Sequence, residues 1–411
     1  SKDFESSHAV EGESKVNTSN WIKECVTDLV RLSEDGKHSL VIAGYRQPKE
    51  VHLAAIVINK LLGNVGKTLL LQDFKPSLFG SIKDLELKFK EGDNLVVFGG
   101  DPSYNTPADI DWEGIVKKAK KFIRHGYYNV DQTSQAATAY IPAAHYLESW
   151  GDARTSDGTL VPVQPLIAPL FGGLTEIEVL AYISGSEEDP YKITRKTFAS
   201  IAGDSEEAWN KFLHDGFLAG SSKKELFKDL DSKILDSSIL IKDQNKHIKP
   251  YKQNFEVTFY RDINMDDGRW ANNGWLLETP DPLTRISWDN VILVSLKTAI
   301  SLLGEKEAKE VLDFNEVDGE DFDPKQMSLP GRFGFHPDSG RFYQKVYKLT
   351  VGGQQIEGPI WLLPGMADGA IGISLGYGRG VGRVGGAAGF SGYKIRTFEN
   401  KHIFPNAKLE E

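Results

Sequence analysis

The chain has 411 residues, of which 40% are hydrophobic and 26% charged, and its formal net charge is −10. That length suits two or more domains, and the composition suits a globular protein with ample core. The acidic balance argues against a nucleic-acid partner, which needs a basic face, and no apolar run approaches the roughly 18 residues of a membrane-spanning helix.

Cys25 is the only cysteine. One thiol cannot form a disulfide framework, and it cannot hold an iron–sulfur cluster or a cysteine-bound zinc within this chain. It lies on the apolar helical pattern Trp21, Ile22, Val26, Leu29, Val30 and is expected to be a buried structural thiol. Residues 1–19 are polar and disorder-like, with no signal peptide. This allows either a cytoplasmic protein or an internal piece of a longer exported chain, and the ragged polar start favours the piece.

From there the chain alternates strand and helix signals. Ser39–Ala43 reads as a short strand ending in Gly44. Val51, Ala54, Ala55, Ile58, Leu61 and Leu62 follow at helical spacing, with Pro48 before them and Gly63 after. Thr68–Leu71 and Leu95–Phe98 read as strands, Ile115–Ile123 as a helix, and Tyr127–Val130 and Thr138–Ile141 as further strands. Apolar strands alternating with helices indicate a doubly wound, mostly parallel sheet. Residues from Thr175 to about Ile248 are charged and helical, an excursion from the α/β domain. An all-β region opens at Phe255–Tyr260 and continues through Tyr343–Val351 and Pro359–Leu363. The expected organisation is a disordered segment over 1–19, an α/β domain over 20–250 and a β-barrel domain over 251–411, with the boundary near Pro250. The acidic stretch Glu316–Asp323 reads as a solvated loop.

Eleven glycines fall between Pro364 and Gly392, interleaved with Ile371, Ile373, Leu375, Tyr377 and Arg379 at period two. That pattern predicts strand and turn rather than a flexible linker. It suits either a ligand cradle or the tight corners of a barrel wall. Glycine with Arg379 and Arg383 is also the chemistry of a phosphate site. No G-x-x-x-x-G-K-[ST] loop exists: Gly66-Lys67-Thr68 imitates its tail, but Leu61 stands where its first glycine belongs.

Three shorter motifs add candidates. Gly99-Gly100-Asp101-Pro102 follows a strand, where open α/β sheets collect ligands; two glycines admit a nucleotide to the main chain, though a plain βα turn has the same form. No G-x-G-x-x-G follows the first strand. His145, Glu148, Ser149 and Trp150 put a base, an acid, a hydroxyl and an aromatic in one stretch, suited to acid–base work or to structural hydrogen bonding. Trp288-Asp289-Asn290 can pack on and read a base edge, or Asp289 can sit near the N-cap of a helix running to Leu303.

In this order the pieces resemble the C-terminal half of the molybdopterin oxidoreductase large subunit. The resemblance rests on Val41–Gly44, Leu62–Thr68, Gly99–Pro102 and Leu283–Asn290, and covers most of residues 20–400. Glu148–Thr159, Gln164–Leu170, Asp267–Leu276 and Leu375–Arg379 are more closely similar to the molybdopterin-like/iron–sulfur subunit of alternative complex III, the Tat-variant-translocated branch. The resemblance implies a double-psi-like barrel of the molybdopterin-dinucleotide-binding kind. It implies a subunit of a respiratory quinol-oxidising complex on the periplasmic side of the bacterial inner membrane, partnered by an iron–sulfur domain of the same parent chain and by other subunits. The family's bis-molybdopterin guanine dinucleotide is expected to be absent, and the iron–sulfur clusters to lie in the missing part of the parent. Gly99, Gly100, Asp101, Pro102, Tyr104, His145, Glu148, Trp150, Trp288, Asp289, Asn290, Gly376, Tyr377, Gly378 and Arg379 are then the residues of a vestigial cofactor cradle. No catalytic or metal-ligating residue is expected. Asp101 stands where the family usually has Asn. Two unit charges ~4 Å apart repel by about 4 kcal/mol at an effective dielectric of roughly 20, so this carboxylate disfavours a phosphate-bearing ligand unless it is paired. The competing reading is a fragment of an active molybdenum oxidoreductase in which the same residues line the cofactor. A third, an unrelated doubly wound nucleotide enzyme, lacks its fingerprints.

Overall fold

The computed structural model describes residues 18–71, 79–222, 254–303, 335–336, 341–342 and 346–410. Of the segment expected to be disordered over 1–19, residues 1–17 lie outside the described residues, as do the boundary near Pro250 and the acidic stretch Glu316–Asp323; residues 18 and 19 are instead the first residues of a helix. The chain divides into two compact units, Ser1–Lys75 with Lys223–His247, and Pro76–Ser222 with Ile248–Glu411.

The first unit holds α1 (Thr18–Glu34) and α2 (Lys49–Leu61). Helix α2 follows Pro48 and is closed by Gly63 in the left-handed region at φ 67°, as its flanking residues predict. Two expectations fail here. Ser39–Ala43 and Thr68–Leu71 are not strands; a lone bridge joins Val65 to Leu69. The buried Asn59 side chain takes the place of a neighbouring strand, accepting from Val41 N at 3.0 Å and donating to Val41 O at 2.7 Å. Cys25 is half-buried rather than buried, and Trp21, Ile22, Val26 and Val30 around it are exposed.

The second unit opens with α3 (Ile82–Lys88), held by a Ser81–Asp84 capping box. Then come β1 (Asn94–Phe98), α4 (Pro102–Asn105), α5 (Trp112–Lys118), β2 (Lys121–Gly126), α6 (Gln132–Ala136) and β3 (Ala139–Pro142). The three strands form a parallel sheet in the order β1-β2-β3, with Asn94 opposite Lys121 and Ile123 opposite Ala139. Helical crossovers connect them, as parallel neighbours require. Leu95, Ile115 and Phe122 pack as one core cluster against α3 and α5. The helix expected to reach Ile123 stops at Lys118, and Phe122 and Ile123 are strand residues. Tyr127–Val130 is a turn, not a strand, with Tyr127 and Tyr128 exposed. Strand β2 lies one step earlier because it carries the buried Phe122, Arg124 and His125.

A hairpin of β4 (Gly151–Arg154) and β5 (Leu160–Val163) precedes the helices α7 (Glu176–Ile183), α8 (Pro190–Ala202) and α9 (Glu206–Asp215), the described part of the helical excursion. Leu160, Phe198, Trp209 and Phe212 form its core.

The barrel comprises β6 (Phe255–Arg261), β7 (Ile292–Val294), and, after α10 (Gly274–Glu278), α11 (Leu296–Leu303) and a short pairing of β8 (Phe335–His336) with β9 (Arg341–Phe342), the strands β10 (Val346–Val351), β11 (Gln354–Leu362), β12 (Ala370–Leu375) and β13 (Ile403–Glu410). It closes in the order β10-β11-β7-β12-β6-β13. The pairs β6–β12 and β7–β11 are parallel and the remaining pairs antiparallel. Closure removes the free sheet edges. Alternation sets the inward face: Val257 and Phe259, Leu349 and Val351, Ile371 and Ile373 are all buried in one cluster. The fold is thus mixed α/β, a parallel three-stranded sheet joined to a closed six-stranded barrel.

Leu349 lies opposite Ile356 and Leu409 with no solvent exposure. Leu349→Ala is expected to lower unfolding free energy by about 2–5 kcal/mol in a urea titration.

Candidate functional site

The site grows from the end of β1. Gly99 and Gly100 have φ of 54° and 57°, a left-handed pair that residues with a Cβ rarely adopt. This turn points two carbonyls at the buried Arg124 of β2, whose guanidinium donates to Gly99 O and Gly100 O, each at 2.6 Å. Arg124 also meets the Asp131 carboxylate at 3.1 Å. Asp101 precedes α4 but makes no capping bond. Its carboxylate is engaged elsewhere. Oδ1 accepts from Thr133 N at 3.1 Å and from the Thr133 hydroxyl, and Oδ2 pairs with Nη2 of Arg379. Burial pushes the Asp101 carboxyl above its usual range, opposed by the Arg379 charge and the Thr133 bonds.

Arg379 arrives from the glycine-rich run after β12. Gly378 has φ 66°, and a Cβ there would lie 2.2 Å from Ser391 N, so only glycine lets the run fold back on itself. The hydroxyl of the buried Tyr104 donates to Tyr377 O at 2.7 Å, and the Arg379 guanidinium sits 4.3 Å from the Tyr104 ring centroid. The Gln132 amide donates to Arg379 O. Farther along, buried Asn290 clamps Phe390, donating to its carbonyl at 3.0 Å and accepting from its N–H at 2.8 Å. Burial raises the Tyr104 and Tyr377 hydroxyls, and pushes that of Tyr393 up to about 12; the Tyr104 and Tyr393 phenols donate, to Tyr377 O and to Asp267 O. Beside Arg379 opens a cavity of about 470 Å³ lined by Tyr128, Asp131, Arg269, Trp270 and Asn272 among others.

The structure therefore brings together Gly99, Gly100, Asp101, Pro102, Tyr104, Gly376, Tyr377, Gly378 and Arg379, with Asn290 bracing the far end of the run. His145 and Glu148 have a different task. They form a reciprocal cap on a short 3₁₀ turn, Leu147 N donating to His145 Nδ1 at 3.3 Å and His145 N to Glu148 Oε2 at 3.0 Å. The second Glu148 oxygen accepts from Leu170 N at 3.2 Å. Trp150 packs edge-on against Tyr191 at 4.8 Å, in the helical core. Trp288 is 42% exposed and Asp289 accepts only the Asn290 N–H, at 2.8 Å. Asp289 does not cap a helix: β7 intervenes, and Ser295 accepts from Thr298 N at the start of α11.

Arg124, Asp131, Gln132 and Thr133 were missed from sequence. Arg124 had a visible signal, a charge inside the apolar strand Phe122–His125, which a buried strand tolerates only with partners. The others sit at the start of α6, Asp131 as its N-cap and Gln132 and Thr133 in its first turn, where polar residues are ordinary.

No family model matches the chain, and no curated protein does. Among solved structures it is similar to acetylene hydratase from Pelobacter acetylenicus. The two share 13% identity with a TM-score of 0.48, over 77% of this chain and 44% of that one. The chain spans less than half the length of that structure.

Removing one partner of a buried ion pair strands the other charge, at a cost of about 3–5 kcal/mol. Arg379→Ala is expected to lose stability of that order near neutral pH. Burial holds the folded Asp101 pKa above the usual carboxylate range, so its contribution is fully present below that range and declines as pH rises through the folded pKa. The cost of Arg379→Ala should accordingly be smallest in acid and grow with pH in a thermal-melt series, whereas the double variant Asp101→Asn with Arg379→Ala should show no such growth.

Proposed function

We propose that this chain is the scaffold portion of a respiratory electron-transfer subunit, of molybdopterin-oxidoreductase-like architecture and non-catalytic by itself. Its parent belongs, on this reading, to a quinol-oxidising complex of the alternative complex III type on the periplasmic side of a bacterial inner membrane. An iron–sulfur domain of the parent and neighbouring subunits would carry the electrons. The motif order along the chain supports the assignment, as does the closed barrel following a parallel sheet.

The observation that carries the scaffold reading is the Asp101–Arg379 pair. Arg379 is the more buried of the two arginines in the glycine-rich run, Arg383 being exposed, and a guanidinium there is the group suited to a ligand phosphate. Here its guanidinium is engaged by a carboxylate of the same chain, at 13% and 10% side-chain exposure. A second carboxylate, Asp131, borders the adjoining cavity. His145 and Glu148 are consumed in a cap, and Trp150 in a core. These residues fit a phosphate-bearing pterin dinucleotide poorly. The cavity beside Trp270, Asn272 and Arg379 is the feature that favours the other reading, a fragment of an active molybdenum enzyme.

Metal analysis of the purified parent separates the two. Iron with only trace molybdenum and tungsten is expected; either metal in stoichiometric amount would overturn the scaffold reading. On this chain, guanine nucleotides should leave the melting transition unmoved, whereas a ligand at ~100 times its dissociation constant would add about 2.7 kcal/mol.

A further inference from the structure

The segment between β6 and β7 presents large apolar side chains to solvent on short, rigid turns. Trp275 is 82% exposed, Leu283 76% and Ile263 67%. Each follows an acidic or amide side chain that pins the turn. Asp262 accepts from Asn264 N and Met265 N, Asn273 from Trp275 N, and Asp281 from Leu283 N and Thr284 N, all between 2.7 and 3.1 Å. The turns are knit to one another: Asn264 donates to Thr279 O at 2.8 Å, and Trp288 N to Leu277 O at 3.1 Å. Arg285 and Trp288 are held at φ 63° and 64°, a conformation bulky residues adopt only when their surroundings impose it. The apolar tips are therefore presented in a fixed arrangement, with little ordering entropy left to lose on contact.

The charge around them is one-sided. Arg261 and Arg269 are taken up by Asp266 and Asp267, with Arg269 Nη2 2.7 Å from Asp267. Within the segment that leaves Asp262, Glu278, Asp281 and Asp289 against Arg285, with Arg383 adjoining the Trp275 turn through the Val384–Asn272 hydrogen bond, so the balance is acidic. An acidic border disfavours an anionic lipid surface and opposes a symmetric pairing of two copies, since like charges would meet.

We propose that this surface docks a protein partner through an apolar cleft bordered by lysine or arginine, with Trp275 and Leu283 as the buried anchors. Tryptophan is a residue type that dominates interface energetics, and Trp275 is 82% exposed. The segment shares Asn273 and Gly274 with the wall of the cavity beside Arg379, but the inference does not depend on whether that cavity binds a cofactor.

The test uses the full chain and a labelled amphipathic helix of leucine and lysine as probe, followed by fluorescence anisotropy. The probe is expected to bind, more weakly as salt rises from roughly 0.05 to 0.5 M. Trp275→Ser with Leu283→Ser should weaken it at least about tenfold. Glu278→Gln with Asp289→Asn should weaken it less and flatten the salt dependence. All four positions are solvent-exposed or partly so, and circular dichroism checks that the variants fold. Failure of the probe to bind, equal binding by the Trp275→Ser, Leu283→Ser variant, preferential sedimentation with phosphatidylserine vesicles, or a dimer in light scattering that this variant abolishes would each overturn the proposal.

Discussion

A largely buried ion pair joins the two halves of the second unit. Asp101 belongs to the sheet and Arg379 to the run that leaves the barrel, nearly 280 residues later, and their side chains meet in a nearly dry environment. Burying such a pair gains little net stability, because desolvation offsets most of the attraction. What it does impose is specificity: a carboxylate with two bonds from Thr133 has one remaining direction for a cation, and Arg379 fills it. The placement of the glycine-rich run over the strand end follows from that geometry.

Other contacts make sense as consequences. Tyr104 can donate to Tyr377 O only when the run lies this close, and its ring then offers a face to the Arg379 guanidinium. Glycine at 378 is needed because the run passes within bonding distance of its own return segment. Asn290 holds that return segment from the barrel side. Arg124 braces the strand end from beneath, so the left-handed Gly99–Gly100 turn has its carbonyls satisfied without solvent. The result is a polar seam closed mainly by the protein's own groups.

Much of this was legible along the chain. The strand before Gly99, the helix after Pro48, the strands at Phe255 and Val346, and the strand-and-turn character of the glycine run all follow from periodicity and punctuation, which are local. The misreadings share a cause. Ser39–Ala43 has strand composition but lies beside the Asn59 side chain instead of another strand. Ile123 fits a helical spacing but is claimed by pairing with β1 and β3. Strand formation depends on a neighbour, and a neighbour is not a local property.

By itself, the sequence determined which segments turn, which alternate and which residue types are available to a site, because backbone preference and hydrophobic period act within a few residues. It also placed a carboxylate at position 101, which would disfavour a phosphate-bearing ligand unless paired. Only the tertiary structure decided that the partner is Arg379, that His145 and Glu148 cap a turn, and that Trp150 fills a core. Those outcomes depend on which distant groups share a buried space, where an unpaired charge costs too much to persist and the fold must supply its complement.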